Sequence, residues 1–224
     1  MSTGPAARHD PLAAGPQLRV YLLIQDLQRQ FAAYLSTPTR ARGYPPYEGQ
    51  HALIVEVAPG LAIHRVVDLA LTSVPTIEPG ILFVERQFGV LEVHGSELAD
   101  VEAAGQAILA GIGASASDQL KPRILYDDVI DHVTDQHAVI VNRTREASML
   151  LPGETLLVYE VTPALFAAVA ANEAERVAPE NTLVDVSMIG AAGRVYVSGS
   201  REGVTAARDA ITARLQAVEG RDHE

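Results

Sequence analysis

The sequence predicts an α+β fold made of two tandem domains, each an antiparallel sheet with helices on one side. Three observations predict it. The chain has 224 residues, which suits two domains of about 100 residues each. The stretch HALIVEVAPGL (His51 to Leu61) returns as TLLVYEVTPAL (Thr155 to Leu165), with Glu56 over Glu160, Pro59 over Pro163 and Leu61 over Leu165, an offset of 104. Inside each copy, apolar residues that alternate with a period of two give way to residues that recur every three or four positions, the signature of a strand followed by a helix.

The repeat also sets the boundaries. The offset carries forward without a gap to Ala70 over Ala174, Pro75 over Pro179, Gly89 over Gly193 and Gly95-Ser96 over Gly199-Ser200. It then drops by one, so that DVEAAGQAIL (Asp100 to Leu109) lies over GVTAARDAIT (Gly203 to Thr212), one residue having been lost in a loop. Between the copies, GASASDQLKP (Gly113 to Pro122) is small and polar, as a linker should be. The domains are therefore expected at 18–113 and 121–217. Residues 1–17 are rich in Ala, Gly and Pro and lack the apolar core of a secretory signal, and are expected to form a disordered tail.

In order along a copy, LRVYLLIQ (Leu18 to Gln25) and FAAYL read as strand-like, matched in the second copy by RILYDDVI (Arg123 to Ile130) and HAVIV. Leu53, Val55 and Val57 then alternate with Ala52, Ile54 and Glu56, and Pro59-Gly60 stops the strand. A helix follows, with Ile63, Val66, Val67, Ala70 and Leu71 on one face; Ala167, Ala170, Ala171 and Ala174 repeat it with smaller side chains that allow close packing. Two short strands come next, near Ile81 to Glu85 and Gly89 to His94. The last helix turns Val101, Ala104, Ile108 and Ile112 to one side, matched by Val204, Ala207, Ile211 and Leu215.

Composition excludes several classes of function. With 28 acidic against 17 basic residues the net charge is -11, which argues against a nucleic-acid partner held by Lys and Arg clusters. No apolar run approaches the roughly 18 residues that cross a bilayer. There is no cysteine, hence no disulfide, thiolate nucleophile or cysteine-held cluster. The seven histidines are scattered: His132 and His137 are five apart, and His51, His64 and His94 fall in different elements. They give no metal pattern, and no nucleophile, base and acid converge, so neither a metal, a cofactor nor an enzyme is expected.

PGLAIHRVVDLAL and VERQFG in the first copy, with VNRTREASMLLPG, VTPALFAAVAANEAERVA and GAAGRVYVSG in the second, resemble the tandem-domain shell proteins of bacterial microcompartments, from Leu18 to about Ala217. In the common single-domain shell protein the strand resembling HAVIVNR closes the chain. Here Ala138 to Arg143, and Phe31 to Ser36 before it, precede the strand–helix segment, which resembles the circularly permuted branch and its gated trimers. The resemblance implies two permuted, ferredoxin-like shell domains and a homotrimeric pseudohexamer with a central pore. It further implies trimers able to stack face to face, and other shell hexamers and pentamers as partners. The different reading open to the same fold is a freestanding small-molecule-binding or regulatory trimer.

Candidate sites follow from the resemblance and the repeat together. Glu85 and Arg86, with Gln87, Phe88 and Gly89, match the pore and gate of the permuted branch; alone they read as an exposed charge pair at a strand end. The repeat sets Ile189 over Glu85 and Gly190 over Arg86, so charge stands in one loop of two and the axis is threefold in character. Ile189, Gly190, Ala191, Ala192 and Gly193 form the second pore loop. They lack the lysine and following helix N-terminus of a phosphate cradle. Arg176, four residues after Asn172, stands where the family has an edge lysine for tiling, and Thr72 is its counterpart in the first copy; an ordinary exposed helix arginine is the other reading. The loops TPTRARGYPPYEG (Thr37 to Gly49) and RTREASMLLPGE (Arg143 to Glu154) stand at equivalent points and are expected on one face, as solvated loops or as a contact between trimers or with a metabolite.

Overall fold

The computed structural model describes residues 15–37 and 43–223. The expected tail lies outside the described residues as far as residue 14, as do residues 38–42 of the first Arg/Pro/Tyr loop. The first copy contains β1 (Gln17–Ile24), α1 (Arg29–Leu35), β2 (His51–Ala58), α2 (Ile63–Ser73), β3 (Glu78–Glu85), β4 (Phe88–Gly95) and α3 (Leu98–Ile112). The second contains β5 (Arg123–Ile130), α4 (Asp135–Thr144), β6 (Thr155–Thr162), α5 (Phe166–Val177), β7 (Thr182–Ser187), β8 (Gly193–Gly199) and α6 (Arg201–Gln216). Each copy builds one four-stranded antiparallel sheet, in the orders β1-β2-β4-β3 and β5-β6-β8-β7.

The ungapped offset holds residue by residue in the pairing. Val57 faces Gly89 as Val161 faces Gly193, and the irregularity between Pro79 and Ile81 recurs between Leu183 and Asp185. On the helix side of the first sheet, Leu53, Val55, Val57, Leu91 and Val93 pack with Ile63, Val66, Ala70, Val101, Ala104 and Ile108. These are the faces the periodicity predicts, because only residues sharing one side of a strand and one stripe of a helix can meet.

Two segments expected as strands are helices. FAAYL lies in α1 and HAVIV in α4. A five-residue apolar run does not distinguish strand from buried helix by period alone. In α1, Phe31, Ala32 and Leu35 are buried, an i, i+1, i+4 set, and they join Ala52, Ile54 and Val90 in one cluster, covering the sheet face opposite α2 and α3. In α4 the Thr134 hydroxyl accepts the His137 N–H at 3.3 Å as an N-cap. The linker is also more ordered than its composition suggests. The Gln119 side chain accepts the Tyr21 N–H at 3.0 Å, Leu120 N–H donates to the Arg19 carbonyl at 2.9 Å, and Lys121 and Arg221 exchange with the same segment. The segment is thus tied to β1 by one side-chain and one backbone hydrogen bond, and to the C-terminal Arg221 by two more backbone bonds.

Helix α5 lies between two layers, which explains its alanines. Phe166, Ala168, Val169, Asn172 and Glu175 are buried along with the predicted Ala167, Ala170, Ala171 and Ala174. One side rests on its own sheet and the other on β1 and α1 of the first copy. Burying Phe31, Leu165 and Phe166 contributes about 1.5–3 kcal/mol each. The Arg176–Asp26 ion pair at the rim, 3.8 Å apart and partly exposed, contributes less than about 1 kcal/mol. Apolar burial therefore contributes more to this seam than the rim ion pair does.

The outer face of β4 hides a polar pair. Glu92 and His94 are both fully buried, with the carboxylate 3.0 Å from His94 Nδ1. Burial raises the Glu92 carboxyl above its usual range, against lowering by His94 and by the Gly80 and Ile81 backbone. A raised carboxyl pKa means the folded state holds the proton more tightly than the unfolded chain. Its contribution is present at low pH and is lost as pH rises from its ordinary 4.5 through the raised folded value. Glu92→Gln is therefore expected to stabilise the protein above that window by about 1 kcal/mol and to flatten the dependence of Tm on pH. Melts between pH 5 and pH 8 check it, and an unchanged profile rejects it.

Candidate functional site

Strands β3 and β4 run together to their tip, where Glu85 pairs with Phe88 and only Arg86 and Gln87 make the turn. Such a tight hairpin needs a positive φ, and Arg86 supplies it at 53°, a conformation uncommon outside glycine. The turn holds Arg86 exposed, with Glu85 half-buried beside it. In the second copy β7 ends earlier, at Ser187, and a wider loop runs over residues 188–192 with Gly190 at φ 115°. Ala191 is tied down by the Thr162 hydroxyl, which donates to its carbonyl at 3.1 Å.

The two loops meet. One cavity of about 180 Å³ is lined by Glu85 to Phe88 from the first copy and by Met188 to Ala191 from the second. The two loops expected at the pore therefore lie side by side within one chain. Gly89 and Gly193 lie at the strand starts, and close approach requires glycine there: a Cβ would overlap the carbonyl oxygen of Gly60 or of Ala164 respectively. Neither has a positive φ, so close packing and not turn geometry is what calls for glycine at both.

Sequence reasoning missed the acid–base pair beneath each loop. Glu56, which also lines the cavity, accepts from Arg19 Nε at 2.8 Å, and the Arg19 guanidinium lies 3.7 Å from the centroid of the Phe88 ring. Phe88 is thereby fixed by a cation–π contact. Burial raises the Glu56 carboxyl, while the Arg19 hydrogen bond and charge lower it. Glu160 likewise accepts from Arg194 Nε at 2.8 Å. The signal was an acid at equivalent positions of one strand, Glu56 and Glu160. The arginines come from non-equivalent strands, β1 and β8, so the repeat could not reveal them.

Arg176 and Thr72 stand apart from this site. Arg176 donates to the Gln25 carbonyl at 2.6 Å and pairs with Asp26 and Glu173, joining the two copies of one chain. Thr72 is exposed on α2. Among the described residues no group of three or more His, Asp or Glu could hold a metal ion, and no helix is long and apolar enough to cross a membrane.

The CsoS1D N-terminal domain family matches residues 18–118. The carboxysome shell protein CcmP of Synechococcus elongatus is 41% identical over 209 residues, 93% of this chain and 96% of that protein. The chain belongs to this family of tandem-domain microcompartment shell proteins. The carboxysome shell protein CsoS1D of Hydrogenovibrio crunogenus is 36% identical, over 89% of this chain and 96% of that one. Among solved structures, a double-ringed trimeric shell protein of the RMM microcompartment is 68% identical with a TM-score of 0.89, covering 93% of this chain and all of that one. A fused permuted hexameric shell protein of the same microcompartment is 44% identical with a TM-score of 0.85, covering 91% of this chain and 100% of that one. As a microcompartment shell protein, the chain has a structural role, and its place is the shell of a bacterial microcompartment.

Proposed function

We propose that three copies of this shell protein form a flat pseudohexamer whose central pore is lined by Glu85 to Gly89 and Ile189 to Gly193 and gated by Glu85 and Arg86. One observation carries the reading: the two loops of a single chain share one cavity. Repeating that adjacency three times about an axis closes a ring of six loops, three charged and three small. Closed, Glu85 and Arg86 pair across copies. Pairing gains attraction but removes both charges from water, and the two effects nearly cancel, so the gate is easily reversed. Swung outward, the charged side chains return to solvent and the opening widens enough for a metabolite or cofactor too large for ordinary shell pores.

Face-to-face stacking of two such trimers fits the double ring of the RMM relative. It also fits the exposed Tyr44, Tyr47, Met149 and Leu151 on the equivalent loops, each more than half exposed. The outer edges of the ring, with Arg176 and Thr72 as candidate contacts, meet other shell hexamers and pentamers. Arg86→Ala is expected to leave the trimer intact by native mass and to fix the pore open in electron cryomicroscopy. A closed pore in that variant rejects the gate.

A further inference from the structure

The charged turn of the first copy stands beside a run of side-chain contacts that crosses three strands. Strand β2 lies between β1 and β4, and the pairing of β1 with β2 slips between Leu18 and Val20, leaving Arg19 as the extra residue of a bulge. A bulge re-aims the side chain it inserts. From there Arg19 reaches Glu56 on β2, to which its Nε donates at 2.8 Å, and the central carbon of the guanidinium lies 3.7 Å from the centroid of the Phe88 ring on β4. The pair is sheltered, the Arg19 and Glu56 side chains being 22% and 9% exposed, so water competes little for it.

The second copy has the bulge without the contact. The same slip recurs in β5 between Ile124 and Tyr126, but the extra residue there is Leu125, an exposed side chain with no charge. At the offset of 104, Ala192 stands for Phe88 and Arg194 for Val90. The acid is kept as Glu160, yet its arginine rises from β8, and Ala192 offers no ring to lie on it. Beneath the small, uncharged loop there is thus an ion pair alone. The cation with a ring on it occurs in the copy whose loop bears Glu85 and Arg86.

We infer that Arg19 is a positioning residue of the gate: held by Glu56, it clamps the Phe88 ring and so keeps the turn that bears Glu85 and Arg86 where it stands. This rests on the gate proposed above and names what restrains it. Glu85 pairs with Phe88 across the hairpin, so a swing of the two residues between them carries Phe88 along. The motion passes no further down β4, because Gly89 is packed against Gly60 and Ile63 without room for a Cβ. Phe88 is therefore the last residue of β4 able to move with the turn, and its ring is the one Arg19 covers. A cation–π contact at a partly exposed site shifts a two-state ratio about two- to fivefold. A restraint of that size biases the turn without locking it.

The chain contains no tryptophan, so Phe88→Trp places a single fluorescent ring at the clamp. With Arg19 present that ring is expected to be shielded from acrylamide. Adding Arg19→Met, which keeps an apolar stem but no cation, is expected to raise the quenching constant about twofold and to move the emission to the red, with far-UV circular dichroism unchanged. Equal quenching in the two proteins overturns the clamp. Electron cryomicroscopy of the assembled protein reads the consequence for the gate. Phe88→Leu, which keeps apolar bulk without a ring, is expected to raise the ratio of displaced to undisplaced turns about two- to fivefold, and Phe88→Tyr, which keeps the ring, to match the unmodified protein. If Arg86→Ala opens the pore but Phe88→Leu leaves the turns where Phe88→Tyr does, the gate stands and the clamp is overturned. If no variant moves the turn, Arg86→Ala included, the gate itself is rejected and the role of Arg19 in it falls too, whatever the quenching shows.

Discussion

Gly193→Ala is expected to lower stability by about 3 kcal/mol, which for a chain of this size corresponds to a fall in Tm of about 6–12 °C. The added Cβ would overlap the carbonyl oxygen of Ala164 and lie 2.8 Å from both the Ala164 carbonyl carbon and the Ala167 Cβ. None of these can swing aside as a side chain can. Ala164 leads into α5, which is wedged between its own sheet and the first copy, so relief requires moving the helix or the strand. The first copy repeats the arrangement, with Gly89 against the carbonyl of Gly60 and 2.5 Å from the Ile63 Cβ. Helix α2 has only one covered side, so Gly89→Ala should cost less. Thermal melts of both variants at one protein concentration measure the difference. Equal, negligible shifts would mean that this contact is slack.

That pair of glycines illustrates what the amino-acid sequence reveals. Their alignment at an offset of 104 was legible, and with it the helix faces and the equivalence of the 85–89 and 189–193 loops. The reason for glycine was not, because it depends on which backbone passes 60 or 164 residues into the chain. FAAYL and HAVIV were misread as strands for a similar cause. Their local pattern is too short to carry a period, and helix wins through what surrounds them: a sheet face to cover, and caps from Glu175 or Thr134. Arg19 escaped notice because its partner Glu56 is 37 residues away on a neighbouring strand. Long-range polar pairing leaves no periodic trace, whereas apolar burial does.

Glu175→Leu is the second large expected effect, and it installs at α5 the residue type that α2 already has at Leu71. Helix α1 spans seven residues and has neither an acidic residue in its first turn nor a side-chain cap. The starting amides of an α-helix have no partner inside the helix, and here two of them are satisfied by Glu175, itself 7% exposed. Removing the carboxylate strands two N–H donors beneath α5 and withdraws a negative charge from the positive end of the helix, an expected cost of about 3 kcal/mol. Glu175→Gln keeps an acceptor but not the charge, and should recover part of the loss. Thr134→Ala at the self-capped α4 should cost only about 1 kcal/mol. Urea unfolding of the three variants tests this order. Equal midpoints for Glu175→Leu and Thr134→Ala would show that the cross-domain cap contributes no more than a local one, and that apolar burial alone fixes the first copy against the second.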